Sequence, residues 1–91
     1  MKYKVKHSKE FKKGLKKLKY DTKSIDLVNS IITKLANDEP LDKKHKDHNL
    51  TGKYEGFREC HIKPDLLLIY KKEEDILILT CLAIGSHSEL F

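Results

Sequence analysis

The stretch Leu66–Leu82, with the sequence LLLIYKKEEDILILTCL, decides the fold of this chain. It contains two apolar runs, Leu66–Tyr70 and Ile76–Leu82, on either side of the polar segment Lys71–Glu74. A short polar turn between two apolar runs predicts a pair of antiparallel strands. Because both runs are almost continuously apolar, we expect them to be central strands packed under helices.

The chain upstream of this stretch supplies the remaining elements. Phe57–Ile62 is a third candidate strand, and Tyr3 and Val5 alternate with lysines in the period-two pattern of a strand. Between those two strands, apolar residues recur at helical spacing and predict two amphipathic helices. Their apolar positions are Phe11, Leu15 and Leu18 in the first helix, and Ile25, Val28, Ile31, Ile32 and Leu35 in the second.

This order of elements, β-α-α-β-β-β, predicts the fold class. The chain has no internal repeat and no linker, and its 91 residues can bury one modest core. We therefore expect a single domain over residues 1–91. Its fold should be α+β, with two N-terminal helices packed on an antiparallel-rich β-sheet.

The charge of the chain is positive and unevenly distributed. The formal net charge is +5, but residues 1–20 hold nine lysines against one acid, so their side chains sum to +8 and the rest of the chain sums to −3. This asymmetry favours a polyanion such as nucleic acid, or an acidic protein, as the partner. The alternative is a solvated lysine face that only aids solubility.

Several classes of protein are disfavoured by what the sequence lacks. The N-terminus has no apolar signal segment, and the longest apolar runs are too short to span a bilayer. Cys60 and Cys81 have no CxxC spacing, so we expect small buried side chains in a reducing compartment. These features predict a cytoplasmic protein with no membrane partner.

Three separated segments carry most of the side chains suited to chemistry. They are Asp47–His48, Arg58–Asp65 and Gly85–Phe91. If the segments meet in space, three histidines, Asp65 and the only arginine share one site on a basic protein. A chain end frays unless something holds it, so the polar and aromatic groups of the last segment also predict a docked C-terminus.

These residue types are suited to metal-independent cleavage of RNA. When the 2′-hydroxyl of the RNA is the nucleophile, the reaction needs a base, an acid and positive charge on the phosphate. Histidine suits both proton transfers, arginine binds phosphate through two parallel hydrogen bonds, and an aromatic ring stacks on an unpaired base. The candidates are His48, His61 and His87 for proton transfer, Asp65 as a carboxylate partner, Arg58 for the phosphate and Phe91 for stacking.

Each candidate also has an ordinary structural explanation when taken alone. His61 fits a hydrogen-bonded strand histidine, His48 a surface loop residue, Arg58 half of a salt bridge, and Phe91 an anchor for the C-terminus. The three histidines could also bind a metal, but no pair has HxxxH or HxH spacing and neither cysteine joins a zinc motif. No phosphate-binding glycine motif is present. We therefore expect no metal and no cofactor.

The same three segments carry a resemblance to a known family. The motifs DHNLTG at residues 47–52, RECHIKPD at 58–65 and GSHSELF at 85–91 resemble the YafQ-like branch of the RelE/ParE toxin superfamily, and the likeness covers nearly the whole chain. The resemblance implies a RelE-like fold and the toxin of a bacterial type II toxin–antitoxin pair. Such toxins are ribosome-dependent mRNA endonucleases that use no metal. The implied partners are an acidic antitoxin, the ribosome with its mRNA, and operator DNA reached only through the antitoxin.

The resemblance also implies roles for individual residues. His87 matches the general acid, while His48 or His61, together with Asp65, shares the base and orienting roles. The RNA-binding set comprises Arg58, Lys63, Phe91 and Glu59, of which Phe91 matches the terminal aromatic and Glu59 an acidic position with an assisting role.

One position departs from the pattern of the family. Relatives commonly carry an arginine two residues before the terminal glycine, where it is expected to hold the scissile phosphate, and this chain has Ala83. Three explanations stay open: cleavage is naturally weak, Arg58 or Lys63 compensates, or the chain is an attenuated variant. The alternative function is accordingly a weak or silent toxin-fold protein that binds an antitoxin and takes part in repressing its operon. Gyrase poisoning is disfavoured because it needs no acid–base residues.

Overall fold

The two apolar runs of Leu66–Leu82 form central strands of a five-stranded sheet. The computed structural model describes residues 1–91, and its strands lie in the order β1-β5-β4-β3-β2. The elements in chain order are β1 (Lys4–His7), α1 (Lys9–Lys17), α2 (Thr22–Ala36), β2 (His48–Asn49), β3 (Arg58–Lys63), β4 (Leu66–Glu73), β5 (Ile78–Gly85) and α3 (His87–Leu90). Two single 3-10 turns, Lys43–His45 and Gly52–Tyr54, flank β2.

The sheet is mixed, with one parallel pair. β1 pairs parallel with β5, and the other three neighbouring pairs are antiparallel. The parallel pairing follows from the topology, because β1 is separated from β5 by both long helices and by the other three strands. The predicted α+β class and the antiparallel-rich sheet are confirmed.

Both long helices begin at side-chain caps. The Ser8 hydroxyl accepts the Phe11 N–H at 3.0 Å, and the Asp21 carboxylate accepts the Ser24 N–H at 3.2 Å. These bonds satisfy backbone donors that the first turn of a helix leaves free. Gly14 weakens α1 locally, but a Cβ at this position would collide with the carbonyl oxygen of Ile84. The glycine therefore lets α1 pack closely on β5.

One hydrophobic core lies between the helices and one face of the sheet. Alternate sheet residues that include Cys60, Leu68, Tyr70, Cys81 and Ile84 form it together with apolar residues of α1 and α2. Both cysteines are buried free thiols, and burial raises the pKa of each to about 12. The predicted burial of both cysteines is confirmed.

The turn between the central strands lies further along the chain than predicted. Lys71–Glu73, assigned to the turn from their charge, continue β4 and pair with β5, so the turn falls at residues 74–77. The charge is tolerated because this end of the sheet reaches solvent, where Lys72 binds Asp38 with 2.7 Å between Nζ and Oδ1. β2 and α3 were not predicted, because two and four residues are too few for a recognisable period.

Candidate active site

The sheet face opposite the helices gathers three of the predicted site residues. Side chains of paired residues share a face, so the register places them in rows across the sheet. One row is His48, Glu59, Ile69 and Ala83, and the next is His61, Leu67 and Gly85. Two of the three candidate histidines therefore lie on one face with Ala83, the residue that departs from the pattern of the family.

A buried carboxylate lies between the two histidines of this face. Glu59 is 6% exposed, and its Oε1 is 3.6 Å from Nε2 of His48 and 3.5 Å from Nε2 of His61. Both distances are in ion-pair range when a ring is protonated. A carboxylate can only accept, so either ring donates an N–H when it bonds to Glu59. Glu59 was predicted only to assist, but the geometry makes it the centre of the cluster.

Backbone carbonyls hold the rings of two histidines in this region. His48 Nδ1 lies 2.6 Å from the Lys46 carbonyl oxygen, which fixes Nδ1 as the protonated nitrogen and turns Nε2 toward Glu59. His45 Nδ1 lies 2.6 Å from the carbonyl oxygen of His61 and therefore donates to β3 beyond the end of β2. His45 was not among the predicted site residues, and only its position three residues before His48 could have suggested it.

The third histidine begins the C-terminal helix α3, which a capping box defines. The Ser86 hydroxyl accepts the Glu89 N–H at 3.2 Å, and the Glu89 carboxylate accepts the Ser86 N–H at 2.8 Å. Lys17 of α1 also binds Glu89, with 3.1 Å between Nζ and Oε2. The hydrogen bond from the Ser86 backbone and the contact with Lys17 lower the pKa of Glu89 to about 2. The chain end is therefore held in place, as the sequence predicted.

Asp65 and Tyr54 dock α3 against the sheet. The Asp65 carboxylate accepts the backbone N–H of His87 at 3.2 Å, so it contacts the main chain of this histidine. The Phe91 ring lies 5.1 Å from the His87 ring and 5.6 Å, edge to face, from the Tyr54 ring. Tyr54 also donates to the Leu90 carbonyl at 3.5 Å. Tyr54 was missed, although a lone aromatic between Gly52 and Gly56 was a usable signal.

Arg58 does not join the histidines, contrary to the expectation of one shared site. It lies on the helix side of β3, where Nη2 is 3.2 Å from Asp47 Oδ2 and Nη1 is 2.7 Å from Asn49 Oδ1. Tyr70 completes this cluster by donating to Asp47 at 2.5 Å. Burial opposes the charge of Arg58, but the hydrogen bonds to Asp47 and Tyr70 outweigh it and raise its pKa. Burial, and then the bond to Asp47, raise the pKa of Tyr70.

The last two predicted residues lie at the margins of the site. Lys63 is at the end of β3 after a bulge, and its Nζ is 3.8 Å from Asp21 Oδ2. Phe91 is 54% exposed as a whole residue, although its ring packs on His87. No group of three or more histidine, cysteine or acidic side chains has metal-binding geometry. None of the helices has the length and apolar character needed to cross a membrane.

Solved structures with the same fold define the class of protein. A metal-bound toxin from Helicobacter pylori is 43% identical, with a TM-score of 0.89 over 98% of this chain and 99% of that one. YafQ in the DinJ–YafQ complex of Escherichia coli is 31% identical, with a TM-score of 0.86 over 98% of each chain. The fold and the site therefore define a small α+β toxin of the RelE-like class.

Sequence comparison identifies the family within this class. The mRNA interferase toxin YafQ of Escherichia coli is 32% identical over 88 residues, which cover 96% of this chain and 94% of the relative. The sequence model of the family described as "Bacterial toxin of type II toxin-antitoxin system, YafQ" matches residues 3–91. The chain belongs to the YafQ family of type II toxin–antitoxin toxins.

Proposed function

We propose that this chain is a ribosome-dependent mRNA endonuclease that cleaves through the 2′-hydroxyl of its substrate. The observation that supports this most is the placement of Nε2 of both His48 and His61 at the buried carboxylate of Glu59, on the sheet face opposite the two long helices. Its YafQ relative from Escherichia coli is named an mRNA interferase, which agrees with this chemistry.

His48 is the proposed general base. Its Nδ1 proton is committed to the Lys46 carbonyl, so the lone pair of neutral His48 is on Nε2. After Nε2 takes the proton of the 2′-hydroxyl, the imidazolium forms an ion pair with Glu59. His61, at the same carboxylate, is the alternative base; when protonated, it supplies positive charge beside the phosphate. A base placed in this way contributes roughly 10²–10⁴-fold to the rate.

His87 is the proposed general acid, which protonates the departing 5′-oxygen. Asp65 orients it through the backbone N–H at the start of α3, and Phe91 packs on its ring. The exposed part of Phe91 offers a surface for stacking on a base, worth about 1–3 kcal/mol. The substrate would thus lie between the Glu59 cluster and the C-terminus.

An antitoxin is the proposed protein partner. YafQ of Escherichia coli forms a complex with DinJ, and the present chain shares its fold and family. The lysine-rich helix α1 favours an acidic antitoxin, and the same lysines would contact ribosomal phosphates. We expect operator DNA to be bound only through the antitoxin.

A silent toxin that only binds its antitoxin is the second candidate function, because of Ala83. Ala83 lies in the same row of the sheet as His48 and Glu59, so an arginine at position 83 would extend onto the face that carries them. Arg58, in contrast, is engaged on the other face. A loss of one transition-state contact of this kind costs roughly 10²–10³-fold in rate. Beside Ala83 is a cavity of about 140 Å³ between α1 and α3, so an arginine side chain has room.

Expression in growing cells, with primer extension on a ribosome-bound message, separates the two functions. The proposed endonuclease stops growth and cuts the message, and His87→Ala abolishes both effects because the acid is lost. His7→Gln is the control, since His7 lies on β1 and its ring packs on Phe11 of α1. We expect Ala83→Arg to raise cleavage at least tenfold. Folded chain that binds an antitoxin but cuts nothing, even with Ala83→Arg, would favour the silent toxin.

The dependence on metal is a separate prediction. A toxin from Helicobacter pylori is known in a metal-bound form, yet the proposed steps use Nε2 of His48 as a proton acceptor. Metal at that nitrogen would occupy its lone pair, so we expect added Cu²⁺ to inhibit cleavage and a chelator to leave it unchanged. Cleavage rates measured with each addition decide the point. Loss of activity with a chelator, restored by metal, would contradict the proposed chemistry.

A further inference from the structure

A groove of about 610 Å³ lies between α2 and the outer edge of β3. β2 pairs only with Arg58 and Glu59, so the later residues of β3 have no strand beside them on this edge. The 3-10 turn Lys43–His45 forms the other wall of the groove. His61 lines both this groove and the Glu59 cluster, so the groove is continuous with the candidate active site.

Positive side chains dominate the lining of the groove. The basic members are Lys34, Lys44, His45, Lys46 and Lys63, and the one acid is Asp42. Asp42 is occupied, because its carboxylate accepts the Lys44 N–H at 3.0 Å at the start of the 3-10 turn. That hydrogen bond, and then the nearby charges of Lys44, His45 and Lys34, lower the pKa of Asp42.

The lysines of the groove are available to a ligand. Lys34, Lys44 and Lys46 form no ion pair within the chain. Lys63 contacts Asp21 at 3.8 Å, but both side chains are more than two-fifths exposed, and such pairs contribute little. Four lysine charges therefore face one groove without a strong partner.

We infer that this groove binds the phosphodiester backbone of single-stranded RNA beside the cleavage site. The inference rests on the proposed endonuclease function, because it extends the path of the RNA beyond His61. The lining combines four apolar side chains, Leu27, Ile31, Ile62 and Pro64, with four lysines against one acid. This excess of positive charge suits a phosphate backbone, and an acidic amphipathic peptide is the alternative ligand that the experiment tests.

Binding of an uncleavable RNA tests the groove without requiring cleavage. The probe is a short single-stranded RNA with 2′-O-methyl groups at every position, titrated against the full chain over a range of salt concentrations. In the variant Lys34→Gln with Lys44→Gln, we expect the salt slope to fall by about 1.4, because each phosphate contact on a single strand adds about 0.7. At 0.1 M salt, two lost contacts then weaken binding roughly 25-fold.

The control variant makes the same change of charge elsewhere. Lys4 and Lys6 are exposed on β1, at the sheet edge furthest from the groove, so Lys4→Gln with Lys6→Gln should weaken binding less than threefold. Circular dichroism and thermal unfolding confirm that both double variants are folded. Equal effects of the two variants, or no RNA binding by the unmodified chain at low salt, would overturn the inference.

Two further arms identify the source of the RNA and test the alternative ligand. If the variant Lys34→Gln with Lys44→Gln loses oligonucleotide binding but still co-sediments with empty ribosomes, the ligand of the groove is mRNA. If the variant also loses co-sedimentation, the ligand is ribosomal RNA. Both results support the groove. Loss of binding to a glutamate-rich peptide, with RNA binding intact, overturns the inference in favour of an acidic protein. Failure of the proposed function is distinguishable, because a chain without nuclease activity would still show groove-dependent binding of the uncleavable RNA.

Discussion

Arg58 and Glu59 are neighbours on β3 and form two polar clusters of opposite character. The helix-side cluster of Arg58, Asp47, Asn49 and Tyr70 is closed, with polar contacts between 2.5 and 3.3 Å. The open cluster of His48, Glu59 and His61, on the other face of β3, is looser, with contacts of 3.5 and 3.6 Å. A closed cluster leaves little bonding capacity for a substrate, whereas the open one leaves Nε2 of both rings without a short hydrogen bond.

The two clusters are coupled through consecutive residues. Asp47 belongs to the closed cluster and His48 to the open one, so the contacts of Asp47 with Arg58 and Tyr70 hold the segment that carries the proposed base. We therefore propose a positioning role for Arg58 in place of the phosphate contact that its residue type had suggested. Substitutions on either side of β3 can test this division.

The largest effect is expected in the open cluster, from Glu59→Gln. Glutamine has nearly the same shape but cannot form an ion pair with a protonated imidazole, so we expect ribosomal cleavage to fall roughly 100-fold. Primer extension measures the change, both in the natural background and with Ala83→Arg. Glu74→Gln, in the exposed turn between β4 and β5, is the control. Unchanged cleavage in Glu59→Gln would remove Glu59 from the proposed mechanism.

A smaller effect of a different kind is expected in the closed cluster, from Tyr70→Phe. The change removes the buried hydroxyl that donates to Asp47, so the free energy of unfolding should fall by about 1–2 kcal/mol. Cleavage should fall less than tenfold, because His48 keeps its bond to Lys46. Urea denaturation measures the stability. Tyr20→Phe, at an exposed tyrosine, should stay within about 0.5 kcal/mol of the parent. A large loss of cleavage without loss of stability would make Tyr70 part of the reacting site.

The smallest effect is expected at Glu89, which holds α3 outside both clusters. Its pKa is lowered from 4.5 to about 2, so its contribution to stability is complete above pH 4.5 and is lost as the pH falls toward 2. Glu89→Gln should therefore lower the melting temperature slightly at neutral pH, with a difference from the parent that shrinks on acidification. Thermal unfolding across this range measures it. A difference that is independent of pH would contradict the assigned role of the carboxylate.

The fold was largely predictable because its elements repeat short patterns. Periods of two and 3.6 marked β1 and both long helices, continuous apolar runs marked the central strands, and burial of these apolar faces follows from the hydrophobic effect. The predicted turn at Lys71–Glu73 was wrong because charge is a weak signal for a turn at the solvent end of a sheet. These three residues pair with β5 and so continue β4.

The candidate site was predictable in its residues but not fully in its arrangement. The alternation RECHIK already places Arg58 with Cys60 and Ile62 on the core face, and Glu59 with His61 on the other, so the separation of Arg58 was visible in the sequence. The roles of Tyr54 and His45 were not visible, because each depends on a contact with a segment at least sixteen residues away.

The amino-acid sequence by itself determined which stretches become helix or strand, which faces are apolar and which side chains could transfer protons. Local periodicity and residue chemistry suffice for these properties, because each depends on a few neighbouring residues. Tertiary structure alone decided that His48 lies opposite Glu59 on a two-residue strand and that Asp65 docks the helix carrying His87. Those contacts exist only after distant segments have packed on one sheet, since neither β2 nor α3 is long enough to be stable alone.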